Sequence, residues 1–111
     1  MKFSEPIRRA VCHLNQNPQA PLDLAALAAV AELSVFHFAR RFRAEVGVPP
    51  CRYARALRVE LAKTKMLAEP NQPLADVALA CGYADQSHFT TAFRQVTGMT
   101  PRAYRMKHSD P

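Results

Sequence analysis

Several common functions are ruled out by residues and runs that are missing. The three cysteines, Cys12, Cys51 and Cys81, are scattered, odd in number and form no C-x-x-C pair. That spacing argues against a disulfide framework and a zinc site. They are expected to be small, partly buried packing residues of a reducing compartment. The histidines, His13, His37, His88 and His108, lack ligand spacing, so neither a metal nor another cofactor is expected. No side chain has a neighbour placed as a base beside a nucleophile, and no enzymatic constellation is read here. No membrane-length apolar run and no signal peptide are found, so a cytoplasmic protein without a membrane partner is expected. Acidic residues are also scarce: 9 against 15 Lys+Arg, a net charge of +6 on 111 residues. In so short a chain this imbalance favours a polyanionic partner over charge carried for solubility alone.

Against these absences stands a segment written twice. His37, Phe38, Phe42, Arg43, Gly47, Pro50 and Tyr53 recur as His88, Phe89, Phe93, Arg94, Gly98, Pro101 and Tyr104, at a constant offset of 51 residues (37 to 88). Phe-x-x-x-Phe places two rings on one helix face. The glycine is a helix stop, the proline opens the next helix, and the tyrosine sits one turn into it. One supersecondary unit is used twice. At 49% hydrophobic residues the chain can bury a modest core. Each half alone is marginal, so the halves are expected to share an element.

Ile7, Val11 and Leu14 mark a first helix over 5–16, broken by Pro18 and Pro21. Asp23 caps a short helix to about Ala31; its apolar stripe is Leu24, Leu27, Ala28 and Ala31. After a turn at Glu32-Leu33, Ser34 caps a helix to about Val46. A short helix, a tight turn and a second helix rich in arginine is the helix-turn-helix pattern. Pro50 opens a long helix to about Leu67, with Tyr53, Leu57, Leu61 and Met66 at helical spacing. It is the natural shared element. The plan then repeats. Leu74, Val77, Ala78 and Cys81 form a short helix, Asp85 caps one over 86–97, and Pro101 opens a last one around Tyr104. The final residues are expected to fray.

With Phe38 and Phe42 inward, helical periodicity places Phe36, Arg40, Arg43 and Ala44 outward and His37 to one side. With Phe89 and Phe93 inward, Ser87, Thr91, Arg94 and Gln95 face out and Gln86 lies in the exposed first turn. These outer faces offer donors and acceptors suited to base edges or phosphates. The four inward rings are core rather than stacking platforms. Two readings of Phe36 stay open: contact with a thymine methyl, or cover for a neighbouring side chain. His37 and His88 repeat and suit hydrogen bonding on the phosphate side. Two readings of the basic residues of the long helix stay open as well: a solvated face, or, for Arg55 and Arg58 close to the first reading helix, contact with the DNA backbone.

These residues together resemble the DNA-binding domain of the AraC/XylS family of bacterial transcription regulators. The resemblance runs from about residue 5 to 106 and is densest from Ala78 to Arg105, through Gly82-Tyr83, Asp85-Gln86-Ser87, Phe89, Phe93-Arg94, Gly98, Pro101 and Tyr104. It implies an all-α fold of about seven helices: a helix-turn-helix lobe over 1–49, a long linker helix over 50–69 and a second such lobe over 70–111. It implies sequence-specific binding of double-stranded DNA, with the two recognition helices entering successive major-groove faces of an asymmetric site. Carried over by position, the base readers are Phe36, Ala39 and Arg40, then Gln86, Ser87, Thr90 and Thr91. The backbone contacts are Ser34, His37, Arg43, Arg55, His88 and Arg94. Family members commonly carry an effector-binding or dimerisation domain ahead of these helices, and contact with RNA polymerase can accompany DNA binding. An excised domain of that kind is expected rather than a stand-alone regulator.

Two positions depart from the family pattern. Glu32 stands where glycine is usual, and a non-glycine residue at positive φ costs about 1 kcal/mol or more. Thr91 stands where some members have arginine, which leaves more of the specificity to the first lobe. The rival reading from another class is a protein-interaction module with only non-specific affinity for DNA.

Overall fold

The computed structural model describes residues 3–108. Among them are seven α-helices: α1 (Glu5–Gln16), α2 (Leu24–Val30), α3 (Val35–Val46), α4 (Pro50–Ala68), α5 (Leu74–Ala80), α6 (Gln86–Thr97) and α7 (Pro101–Lys107). The all-α expectation holds. The residues expected to fray, Ser109 to Pro111, lie outside the described residues.

Side-chain caps start the helices where the sequence placed them. Asp23 accepts from the Ala26 amide at 3.1 Å, Ser34 Oγ from His37 at 3.2 Å and Asp85 from His88 at 2.8 Å. Each satisfies an amide that the first turn leaves without a helical partner. Gly47 and Gly98 end α3 and α6 at φ +98 and +83, closing on the Arg43 and Arg94 carbonyls. A Cβ at either glycine would meet nothing within 4 Å, so conformation and not space requires glycine there.

The chain divides into two compact units, Met1–Ala54 and Arg55–Pro111, and the division falls inside α4. In the first unit Ile7, Ala10, Val11 and Leu14 of α1 are buried with Leu27, Ala28 and Ala31, and with Phe38 and Phe42 of α3. Burying each phenylalanine contributes about 2 kcal/mol. Phe38 meets Phe42 at 5.6 Å between ring centroids, and Phe42 meets the edge of Tyr53 at 5.8 Å. The Tyr53 hydroxyl donates to Asn15 Oδ1 at 3.4 Å, fastening the first turn of α4 to α1.

The second unit repeats that ring contact. Phe89 meets Phe93 at 5.7 Å, and Phe93 meets Tyr104 at 5.5 Å. Its core adds Val59, Ala62 and Met66 of α4, Val77 and Ala78 of α5, Cys81 and Tyr83. Helix α4 thus contributes to both units, as expected of a shared element. In the second unit the expected stripe holds at Met66, which is fully buried, and at Leu61, which is partly buried against the same core; it misses Val59 and Ala62, which are fully buried beside them. An element that serves two cores buries a wider face than a single stripe describes.

One further expectation is corrected. Cys81 is buried, but Cys12 and Cys51 are exposed and not partly buried. The guanidinium carbon of Arg58 sits 5.2 Å from the Tyr83 ring centroid, within the second unit.

The turns between paired helices explain a detail of the repeat. In the first, the Leu33 amide reaches the Ala28 carbonyl and the Glu32 amide reaches Ala29. In the second, Tyr83 reaches Ala78 and Gly82 reaches Leu79. Both are Schellman closures with a left-handed residue, Glu32 at φ 58 and Gly82 at φ 91. Up to this point the offset is 50 (32 to 82); at the recognition helices it is 51. The added residue is Ala84, whose amide donates to His88 Nδ1 at 3.3 Å.

Candidate nucleic-acid interface

The outward faces of α3 and α6 are built alike. Phe36 is 72% exposed, and Ser34, His37, Arg40 and Arg43 are exposed around it, while Ala39 is half-buried. On α6, Gln86, Ser87, His88, Thr91 and Arg94 are exposed and Thr90 is half-buried. The face assignments made from periodicity hold, because Phe38, Phe42, Phe89 and Phe93 are each fully buried. An open hollow on α3 is lined by His37, Arg40, Arg41, Arg43 and Ala44. The hollow on α6 is lined by Thr90, Thr91, Arg94 and Gln95. Arg40, Arg43 and Ala44 correspond to Thr91, Arg94 and Gln95 at the offset of 51, so the two units present the same concavity with different chemistry. Arg55 is exposed on α4 in the second unit.

The two histidines are not equivalent. By accepting from Ala84, the Nδ1 atom of His88 takes the acceptor role, which puts the neutral ring's proton on Nε2. The ring also stands edge-on to Tyr83 at 5.3 Å between centroids. His88 is therefore held at a fixed angle with one N–H donor facing out. No Ala84 equivalent exists in the first turn, so nothing there holds His37 in the same way.

Three supporting contacts escaped the sequence reading. Arg9 of α1 donates to the Val30 carbonyl at 3.1 Å and pairs with Glu32 at 3.2 Å, tying down the C-terminus of α2 and the strained turn. Glu45 of α3 accepts from both the amide and the hydroxyl of Ser4, at 2.7 and 2.6 Å, and from Arg41 at 3.0 Å. The Ser4 hydrogen bonds, aided by Arg41, hold the Glu45 carboxyl below its ordinary range. Arg105 of α7 donates to the Gln72 carbonyl at 2.7 Å. These partners lie 21 to 41 residues apart, and no local pattern announces them.

Tyr83 backs α6. It is 4% exposed, its hydroxyl has no hydrogen-bond partner among the described residues, and burial pushes its pKa up to about 12 against the opposing charge of Arg58. Among the described residues no cluster of three or more histidine, cysteine or carboxylate side chains could hold a metal ion. No helix among them is long and apolar enough to cross a membrane.

Two basic helix-turn-helix units, each presenting an exposed second helix from a ring-packed core, define a tandem helix-turn-helix protein. A helix-turn-helix domain family profile matches residues 27–107. A putative AraC-like transcription regulator of Streptomyces antibioticus is 37% identical over 105 residues, 95% of this chain and 34% of that protein. The C-terminal domain of AraT, a response regulator from Geobacillus stearothermophilus, superposes with a TM-score of 0.89 at 25% identity, over 100% of this chain and 92% of that one. The DNA-binding domain of AdpA, solved in complex with a target DNA, gives 0.82 at 30% identity, over 95% and 94%. The chain belongs to the AraC/XylS family of helix-turn-helix DNA-binding domains, which are regulator domains and not an enzyme fold. It spans about a third of the length of the curated relatives it matches.

Proposed function

We propose that this chain binds double-stranded DNA sequence-specifically for a bacterial transcription regulator in the cytoplasm, with α3 and α6 as the two reading helices. The observation that carries the reading is the repeated outward face: two helices of a basic chain, each with a hollow at corresponding positions and a core that uses none of those residues. Phe36, Ala39 and Arg40 read bases from the first unit, and Gln86, Ser87, Thr90 and Thr91 from the second. Ser34, His37, Arg43, Arg55, His88 and Arg94 bind the phosphate backbone. Ser34 does so with the hydroxyl proton left after its oxygen has capped α3, and His88 with its outward Nε2–H. Phosphate contacts set the register and base contacts set the sequence. Because the motif is doubled within one chain, a monomer reads two unlike half-sites on successive major-groove faces, with no palindrome required.

The lobes 1–49 and 70–111 and the linker 50–69 remain the working division of labour. We further propose that an effector-binding or dimerisation domain accompanies these helices in the whole protein, and that contact with RNA polymerase coexists with DNA binding.

Selection of duplexes from a random pool tests the reading, followed by anisotropy on the winner and a scrambled control across a salt series. The expected result is an asymmetric two-block motif, with blocks about one helical turn apart, and a large affinity ratio. Equal affinity for both duplexes with a steep salt slope would reduce the interaction to charge and leave a protein-interaction module as the better account.

A further inference from the structure

The Phe36 ring is the most exposed large apolar group among the described residues, at 72%. It is not idle: the guanidinium carbon of Arg40, one turn along α3, lies 5.6 Å from its centroid. We propose that Phe36 and Arg40 act as one reader of a thymine stacked on a guanine, the ring against the thymine C5-methyl and the guanidinium on guanine O6 and N7. This inference rests on the reading that α3 enters the major groove.

The chemistry follows from what each group can recognise there. An arginine fork matches the paired acceptors of guanine, and thymine alone among the four bases presents a methyl in that groove. The ring and the guanidinium lie within cation–π range of each other, so the groups they meet must lie close together as well. Stacked base pairs are about 3.4 Å apart, and a 5.6 Å separation limits the targets to neighbouring pairs. One face of the ring holds the guanidinium through a cation–π contact, which restricts its orientation before DNA arrives. The rest of the ring faces solvent. Ala39, short and half-buried on the same helix, adds no long side chain to compete with them. The corresponding positions on α6 are Ser87 and Thr91, hydroxyls with neither ring nor charge. The preference therefore belongs to the first unit alone.

The test uses the selected duplex with two atomic edits. Deoxyuridine in place of thymine removes only the methyl, and 7-deazaguanine in place of guanine removes only the N7 acceptor. Wild-type protein should bind the deoxyuridine duplex about fourfold more weakly, the weight of one buried methyl group. It should bind the 7-deazaguanine duplex at least about fivefold more weakly. Phe36→Ala should be indifferent to deoxyuridine and less sensitive to 7-deazaguanine than wild type, because the guanidinium has lost its rest. Arg40→Ala should be indifferent to 7-deazaguanine. Both side chains are exposed, so circular dichroism should show both variants folded. A selected first block without a thymine–guanine step would overturn the inference. So would equal wild-type affinity for thymine and deoxyuridine duplexes, or a Phe36→Ala variant that still senses the methyl. If the unmodified duplex is bound specifically, such failures leave DNA reading intact; if selection yields no preferred sequence, the parent reading falls too.

Discussion

The Arg9 guanidinium holds the Glu32 carboxylate at 3.2 Å while its Nε donates to the Val30 carbonyl, so α1 secures the one non-glycine residue at positive φ among those described. The first turn keeps its Schellman geometry with glutamate where the second has Gly82. The carboxylate is 80% exposed, so the ion pair itself is worth less than about 1 kcal/mol. Left-handed backbone at a residue with a Cβ costs at least about as much.

Substitution at Glu32 separates the two terms. Glu32→Ala and Glu32→Gly both lose the pair with Arg9, but only alanine keeps the strained backbone. Urea unfolding should therefore find Glu32→Gly more stable than Glu32→Ala by about 1 kcal/mol. Equal midpoints would mean that the turn relaxes out of the left-handed region without cost.

What could be foreseen from the sequence divides along physical lines. The helices, their caps at Asp23, Ser34 and Asp85, and the inward rings are local, periodic features, and each lies where spacing placed it. Positive φ at Glu32 was foreseeable because a turn of fixed geometry demands it. Arg9, Ser4 with Glu45, and Arg105 act across 21 to 41 residues, on partners that are backbone carbonyls or a carboxylate with no local signature. The buried face of α4 was read too narrowly, with Met66 and Leu61 but without Val59 and Ala62, because one helix supplies two cores. At the candidate interface, outwardness was legible; the cation–π contact of Phe36 with Arg40 and the orientation of His88 needed coordinates.

Tyr83 offers a stability test with two readouts. Its buried hydroxyl has no hydrogen-bond partner among the described residues, and an unsatisfied buried polar group costs about 1–3 kcal/mol. Tyr83→Phe should thus raise the unfolding midpoint instead of lowering it. The pKa is raised to about 12 in the folded chain, so the folded state holds its proton where an unfolded tyrosine has begun to lose it. Stability contributed by this group is intact below about pH 10 and is lost as pH climbs towards 12. Absorbance titration should show one of the three tyrosines ionising late, and Tyr83→Phe should remove that step.

The Ser4–Glu45–Arg41 cluster makes the opposite prediction in acid. The Glu45 carboxyl is depressed by Ser4 hydrogen bonds and by Arg41, so its contribution is present above the ordinary carboxylate range and disappears as pH falls through the lowered value. Glu45→Gln should be less stable at neutral pH, and its stability should fall less steeply in acid than that of wild type. Parallel pH–stability curves for the two proteins would show that the cluster does not couple to folding.

Arginine substitutions can sort the interface into its two kinds of contact. Arg40 is mid-helix on α3 and leans on Phe36, whereas Arg94 lies in the last turn of α6, its own carbonyl closing the Gly98 cap. The first position can follow a base edge; the second, beside the helix end, suits a phosphate. A phosphate contact releases roughly one counterion, so Arg94→Ala should lower the slope of log affinity against log salt by about 1 and weaken all duplexes alike. Arg40→Ala should instead change which duplexes are preferred, costing about 1–3 kcal/mol at one base position and little on scrambled DNA. Titrating both variants against the selected and scrambled duplexes at several salt concentrations measures both quantities at once. Retention of wild-type affinity and preference by both would remove these residues from the interface, while a uniform loss in Arg40→Ala would move Arg40 to the backbone set and leave α3 without its guanine reader.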